Sequence, residues 1–191
     1  MARRWGVFGP WVAALVLGGV LAGPAHARSK AGVSMAETMS VGGATLNLNG
    51  MAVRKKFIVS VYVGGLYLAK PARSEAEVLT PDAPKALVMH FVHDVDADKL
   101  KGAYRDGFSS NARGLMAAEK ANMDRFLSKV GAVKEGDKIV FTYVPGKGST
   151  VVFPGGATES FQGKGFADAY LAVFVGKDPP TDDLKDGLLG K

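Results

Sequence analysis

Residues 85–95 form the most constraining stretch of the chain. Within them, Ala86-Leu87-Val88-Met89-His90-Phe91-Val92 is apolar at nearly every position. Side chains of a strand point alternately to opposite faces. A strand that is apolar on both faces must be covered on both, which puts it in the middle of a sheet. The rest of the chain has to supply flanking strands and at least one covering layer.

The sequence around it supplies both. Upstream, Glu37–Val41, Ala44–Asn49, Phe57–Val63 and Leu66–Leu68 read as strands. Leu46 and Leu48 alternate with Asn47 and Asn49, and residues 57–63 are rich in β-branched and aromatic types. Gly42-Gly43 and Asn49-Gly50 read as turns. Gly64-Gly65 marks a bulge or a close backbone approach. Ser74 opens a short helix with Glu75 and Glu77 in its first turn.

Downstream of residue 95, Asp96 can cap a helix carrying Leu100, Tyr104 and Phe108. A second helix carries Met123, Phe126, Leu127 and Val130 and ends at Gly131. Strands return at Lys138–Val144, Ser149–Phe153 and Ala157–Phe161. A helix with Phe166, Tyr170, Val173 and Phe174 follows, and Thr181 caps a last helical turn. Segregated blocks of strands and helices predict an α+β fold with a mainly antiparallel sheet. Helices backing one face leave a cleft between the layers, the ordinary place for a small apolar ligand.

The N-terminus reads as an address. Arg3-Arg4 precedes an apolar stretch, Trp11–Ala22, then Pro24 and Ala25-His26-Ala27. This is the pattern of a secretory leader cleaved after Ala27, so residues 1–27 are expected to be removed and the protein to be periplasmic or secreted. An uncleaved anchor is the alternative, although the run is short for a membrane span. Residues 28–36, small and polar, read as a mobile arm, and 37–190 as one domain. After leader removal no segment is long and apolar enough to cross a membrane.

Charge and composition exclude several functions. Lys and Arg outnumber Asp and Glu by 24 to 18, but they are not interleaved with aromatic residues along a stripe. Nucleic acid is therefore not an expected partner. The absence of cysteine removes disulfides, thiolate metal sites and a thiol nucleophile. His90 and His93, three apart on a strand, face opposite ways and do not form a metal pair. Asp94, Asp96 and Asp98 lack the glycine and late glutamate of a calcium loop. Ser109-Ser110 sits in no nucleophile elbow, and the glycine pairs lack the spacing of a phosphate-binding loop. No metal or cofactor is expected.

Three segments together resemble the chalcone isomerase-like superfamily, in its bacterial secreted branch: LNGMAVRKKFIVSVYVGGLYLAKP at 48–71, VMHFVHDVDADKLKGAYRDGF at 88–108 and FADAYLAVFVGKDPPTDDLKDGLLG at 166–190. The resemblance implies an open-faced β-sandwich, with a large antiparallel sheet backed by helices and a cleft between them. It also implies one of two functions: ring closure of a chalcone, or non-catalytic binding, in some members of fatty acids. The family's active-site arginine falls on Arg54, and a threonine position of the isomerases falls on Tyr62. Helical positions that carry polar groups in the isomerases fall near Leu100, Ala103 and Gly107, and a late threonine falls on Val173. With those donors replaced, the resemblance implies a non-catalytic site for an apolar acid. Arg54 and Tyr62 would hold the carboxylate, and Leu100, Tyr104, Phe108, Val173 and Phe174 would line the cleft.

A guanidinium suits that task because it binds a carboxylate through two parallel hydrogen bonds. Geometry sets a condition. On one straight strand, Arg54 and Tyr62 would lie about 26 Å apart at about 3.3 Å per residue. They can share a ligand only if the chain turns back between them; Tyr67 is the fallback, at opposite strand parity. Two alternatives stay open. One is an isomerase (intramolecular lyase) acting on a phenolic substrate, with Tyr104 and Arg54 as its catalytic groups. The other is an interaction protein with a plugged cleft and an exposed apolar patch. Oligomeric state is not legible.

Overall fold

The computed structural model describes residues 27–191, so residues 1–26 of the expected leader lie outside the described residues. The described chain forms nine strands and five α-helices. In order they are β1 (Ala27–Lys30), β2 (Val33–Ala36), β3 (Thr38–Val41), β4 (Ala44–Lys56), β5 (Val59–Leu68), α1 (Glu75–Leu79), β6 (Lys85–Phe91), α2 (Ala97–Asn111), α3 (Met116–Lys129), β7 (Lys138–Val144), β8 (Gly148–Val152), β9 (Thr158–Phe161), α4 (Gly165–Val175) and α5 (Asp182–Leu188).

Strands β3 to β9 form one seven-stranded antiparallel sheet in sequence order, with β6 at its centre. The two-faced apolar run of β6 is covered as its pattern requires. Leu87, Met89 and Phe91 face the helices, and Ala86 and Val88 face the other side. The helical face holds the main core, in which Phe126, Phe141, Phe166 and Tyr170 are fully buried. Tyr170 stacks on Phe141 with ring centroids 4.4 Å apart, and Phe161 on Phe166 at 3.8 Å. Burying each such side chain stabilises the fold by about 1.5–3 kcal/mol, and each ring pair adds roughly 0.5–1.5 kcal/mol.

The second face carries a smaller core, Leu46, Leu48, Met51, Val63, Tyr67, Ala86 and Val88. Its cover corrects the expectation of a mobile arm at 28–36. That stretch is the β1–β2 hairpin, paired from Ala27↔Ala36 to Lys30↔Val33. Val33 and Met35 on β2 alternate inward and are buried, so the segment has apolar surface to bury despite its polar composition. Met35 lies on Gly65, and the Tyr67 hydroxyl donates to the Ala36 carbonyl at 2.9 Å. Gly64-Gly65 is thus a close approach inside an uninterrupted β5, without a bulge there.

A second correction concerns Asn49-Gly50, which is not a turn. Strand β4 runs through it with a register shift between Leu48 and Gly50. The Asn49 side chain clasps two segments: its Nδ2 donates to the carbonyls of Ala72 (3.0 Å) and Leu188 (2.8 Å), and its Oδ1 accepts from Ala72 N (2.8 Å). At Gly50 a Cβ would collide with the backbone carbonyls of Gly187 and Leu188, so helix α5 sits where any side chain would be. The true turn is eight residues later, at Phe57-Ile58. A third correction follows: residues 57–58 are a hairpin tip, and β5 begins at Val59. The strand expected to reach Val95 ends at Phe91, and Val95 makes only an isolated bridge with Val133.

Candidate functional site

The β4–β5 hairpin meets the geometric condition on Arg54 and Tyr62. With the turn at Phe57-Ile58, Lys56 pairs with Val59, Lys55 with Ser60 and Arg54 with Tyr62. The register shifts by one residue between Lys55 and Arg54. Such a bulge re-aims the side chains beside it. Without the shift Arg54 would oppose Val61; with it, the guanidinium stem and the phenol leave the sheet on one face about 5 Å apart at Cβ.

That face opens into a cleft of about 670 Å³ between the sheet and the helices, within the roughly 300–1,000 Å³ usual for small-molecule sites. Tyr62, Met89 and Phe91 form its floor from β5 and β6. Leu100, Ala103, Tyr104 and Gly107 form one wall from α2, and Val173 and Phe174 another from α4. Arg54, Lys56, Phe57 and Val59 form the rim at the hairpin end, with His93, Asp94 and Lys99 nearby. Gly107 lets the walls approach: a Cβ there would lie 2.5 Å from a Val173 methyl.

Of the expected site residues, Arg54, Tyr62, Leu100, Tyr104, Val173 and Phe174 all line this cleft. Phe108 does not. It lies on the same face of α2 one turn further along and packs behind the wall, against Tyr104 and Phe126. Tyr67 faces the second core, which removes the fallback. His93 reaches the rim while His90 does not; since β6 ends at Phe91, His93 lies beyond the strand and strand parity does not set its direction. Sequence reading missed Met89 and Phe91 on the floor and Lys56, Phe57 and Val59 on the rim. Parity on β6 places Met89 and Phe91 on one face, but only the hairpin turn shows which face holds the cleft.

The electrostatics are simple. Among the described residues no carboxylate pairs with Arg54. Tyr62 is buried, and its phenol pKa is pushed far up by that burial and then by the Tyr104 phenol, with Arg54 pulling the other way. Burial also pushes the Tyr104 phenol far up, with Tyr170 adding to it. The Tyr104 hydroxyl donates to the Met89 sulfur at 3.1 Å and shares a 3.1 Å hydrogen bond with the Tyr170 hydroxyl. Both cleft phenols therefore stay protonated at ordinary pH. They can donate hydrogen bonds but cannot act as bases. Tyr104 is moreover committed to its neighbours, whereas the Tyr62 hydroxyl has no partner among the described residues.

The site sets the Arg54 guanidinium and the Tyr62 phenol at the hairpin end of a trough with apolar walls, and Asp94, Asp106 and Asp178 also lie in its lining. Among the described residues no group of three or more His, Asp or Glu is placed to hold a metal ion.

Comparisons with known proteins agree with this architecture. A family model described as chalcone isomerase-like matches residues 27–190. Among solved structures, a fatty-acid binding protein of Arabidopsis thaliana superposes with a TM-score of 0.65 at 15% identity, covering 86% of this chain and 96% of that one. Comparison with curated protein sequences gives no match. The fold expected from the sequence, an α+β sheet backed by helices, is the fold observed.

Proposed function

We propose that this chain, which belongs to the chalcone isomerase-like family, is a non-catalytic binding protein for an apolar carboxylic acid of fatty-acid type. The carrying observation is Arg54: a guanidinium without a carboxylate partner among the described residues, at the mouth of an apolar cleft and directly across from Tyr62. A charge at the edge of an apolar cleft is costly to leave alone and strong when paired. In this reading Arg54 takes the carboxylate in a two-point grip, Tyr62 donates a further hydrogen bond, and the apolar walls cover the chain. The fatty-acid binding role named for the Arabidopsis structure supports the ligand class. The leader pattern supports a periplasmic or secreted location.

The open cleft favours binding over a plugged interaction module. The engagement of Tyr104 with Met89 and Tyr170 disfavours it as the acid–base group of an isomerase.

Native mass spectrometry of the gently purified protein tests the proposal. The expected result is a discrete added mass that denaturation releases as a long-chain acid, together with weaker binding of that acid to Arg54→Ala by about tenfold to a hundredfold, the worth of a charge-assisted contact. Unchanged affinity in Arg54→Ala overturns the anchor. Chalcone cyclisation above the spontaneous rate overturns the non-catalytic role.

A further inference from the structure

The hairpin that aligns Arg54 with Tyr62 ends in an unusual tip. Phe57 and Ile58 are 92% and 94% exposed, and Val59 is 40% exposed. These are the exposed large apolar residues of the described chain. They form one contiguous patch rather than scattered positions, and contiguity is what marks an interaction surface.

Turn chemistry does not ask for them. A two-residue hairpin with positive φ at its first central position favours glycine there. Phe57 instead sits at φ 56°, a conformation that disfavours a bulky side chain. The tip thus carries an aromatic ring in water at a position where the backbone would be easier with none. Strain at an exposed apolar residue points to a use for that side chain.

The charge around it narrows the partner. Arg54, Lys55 and Lys56 lead directly into the tip, Lys55 and Lys56 are exposed, and no acidic residue occurs between Glu37 and Glu75 in the sequence. The cleft lining holds three aspartates, Asp94, Asp106 and Asp178, of which Asp94 is paired with Lys134 at 2.9 Å. Apolar and aromatic tip residues with lysines immediately behind them match the layering of an anionic bilayer: phosphates at the surface and the acyl boundary just beneath them. Phe57, Val59 and Lys56 also form part of the cleft rim, so whatever the tip enters faces the mouth.

We propose that the β4–β5 tip docks the protein onto an anionic lipid bilayer. Phe57 and Ile58 enter the interfacial layer, Lys55 and Lys56 meet the headgroup phosphates, and the cleft mouth is set against the lipid. Docking would let an apolar acid pass between membrane and cleft without crossing water; that consequence rests on the proposed function, whereas docking itself needs no ligand.

The test uses residues 27–191, which contain every described strand and helix and the whole family match. Ligand-free protein is floated with vesicles of phosphatidylcholine alone or mixed with phosphatidylglycerol. The expected result is binding to the mixed vesicles that weakens as salt rises. Phe57→Gly/Ile58→Asp, which also relieves the backbone, should lower partitioning at least about tenfold. Lys55→Glu/Lys56→Glu should lower it about fivefold or more per lysine on mixed vesicles and much less on neutral ones. Both tryptophans of the chain, Trp5 and Trp11, precede residue 27, so Ile58→Trp places a single reporter at the tip. Its emission should shift to the blue on mixed vesicles.

Failure of the wild type to float, undiminished flotation of the tip variant, or an unshifted Ile58→Trp spectrum overturns docking. So does a wild-type dimer that the tip variant dissolves, because the patch then serves a second copy. Fatty-acid affinity of the single variant Ile58→Asp, which leaves the rim residue Phe57 in place and is not itself in the cleft lining, should match the wild type when measured without vesicles. Loss of acid binding with docking intact would strike the proposed function alone.

Discussion

Arg54 and Tyr62 face each other across the β4–β5 ladder, eight residues apart in sequence and adjacent in space. Their nearness depends on two local features, the two-residue turn at Phe57-Ile58 and the register shift between Lys55 and Arg54. If both groups grip one carboxylate, their contributions to affinity are coupled. Tyr62→Phe should weaken acid binding by about 0.5–1.5 kcal/mol, the net worth of one hydrogen bond. In a double-mutant cycle with Arg54→Ala, the coupling should exceed about 0.5 kcal/mol. Isothermal titration of the four proteins reads it; strict additivity would place Tyr62 outside the ligand contact.

The width of the cleft depends on Gly107, where helix α2 passes close to Val173 of α4. A methyl group at 107 would lie 2.5 Å from a Val173 methyl. Overpacking of this kind costs about 1–3 kcal/mol, while the helix gains up to about 1 kcal/mol from replacing glycine. Gly107→Ala should therefore show a net loss of stability in urea unfolding. Val173→Ala in the same chain removes the clash, so the double variant should lose less than the sum of the two single losses.

How much of this was legible in the sequence follows from the range of each signal. The two-faced apolar run of β6 gave its central place, and Lys138–Val144 gave β7 to the residue, because strand periodicity is a local property. Ser74 and Thr181 were readable as caps for the same reason, and each hydroxyl accepts from the expected backbone N–H. Asn49-Gly50 misled because its residues answer to distant partners: Asn49 to Ala72 and Leu188, Gly50 to the close passage of α5. The Phe57-Ile58 turn was hidden by its own composition, since aromatic and β-branched residues read as strand. The hairpin at 28–36 looked like an arm because only Val33 and Met35 reach inward, too few to mark a strand. Phe108 followed the helical spacing of Leu100 and Tyr104, but spacing along one face does not show where along that face the cleft ends.

Asn49 and Gly50 together lock the C-terminus onto β4. Gly50→Ala forces a methyl group into the carbonyls of Gly187 and Leu188, which are backbone atoms that cannot rotate away. It should cost about 2–4 kcal/mol or displace α5 outright. Asn49→Ala leaves the backbone amide and carbonyl of Ala72 without their partner and should cost about 1–3 kcal/mol. Amide hydrogen exchange would separate the two variants. Gly50→Ala should raise exchange in α5 above all, whereas Asn49→Ala should raise it both there and at Ala72.

Lys85 supplies a pH signature unconnected with the cleft. It is only 2% exposed, its ammonium donates to the Leu79 carbonyl at 3.4 Å, and it lies 5.9 Å from the centre of the Tyr143 ring. The Lys164 ammonium donates to the same carbonyl, while Asp168 and Asp82 stand near as opposing charges. Burial first, and Lys164 second, lower the Lys85 pKa from 10.5 to about 8. Below about pH 8 the lysine is protonated in both folded and unfolded chains, and the full cost of burying its charge is present. Between about 8 and 10.5 the unfolded chain holds the proton and the folded chain has released it, so stability contributed at this position rises with pH. The Tyr143 phenol, raised to about 12 by burial and by its hydrogen bond to Asp82, acts in the opposite direction, but only above its unfolded value of 10. Urea unfolding from pH 7 to 9.5 should therefore show the wild type gaining stability relative to Lys85→Met above pH 8, and a constant difference below it. A flat difference across the whole range would mean that Lys85 keeps its proton in the folded protein.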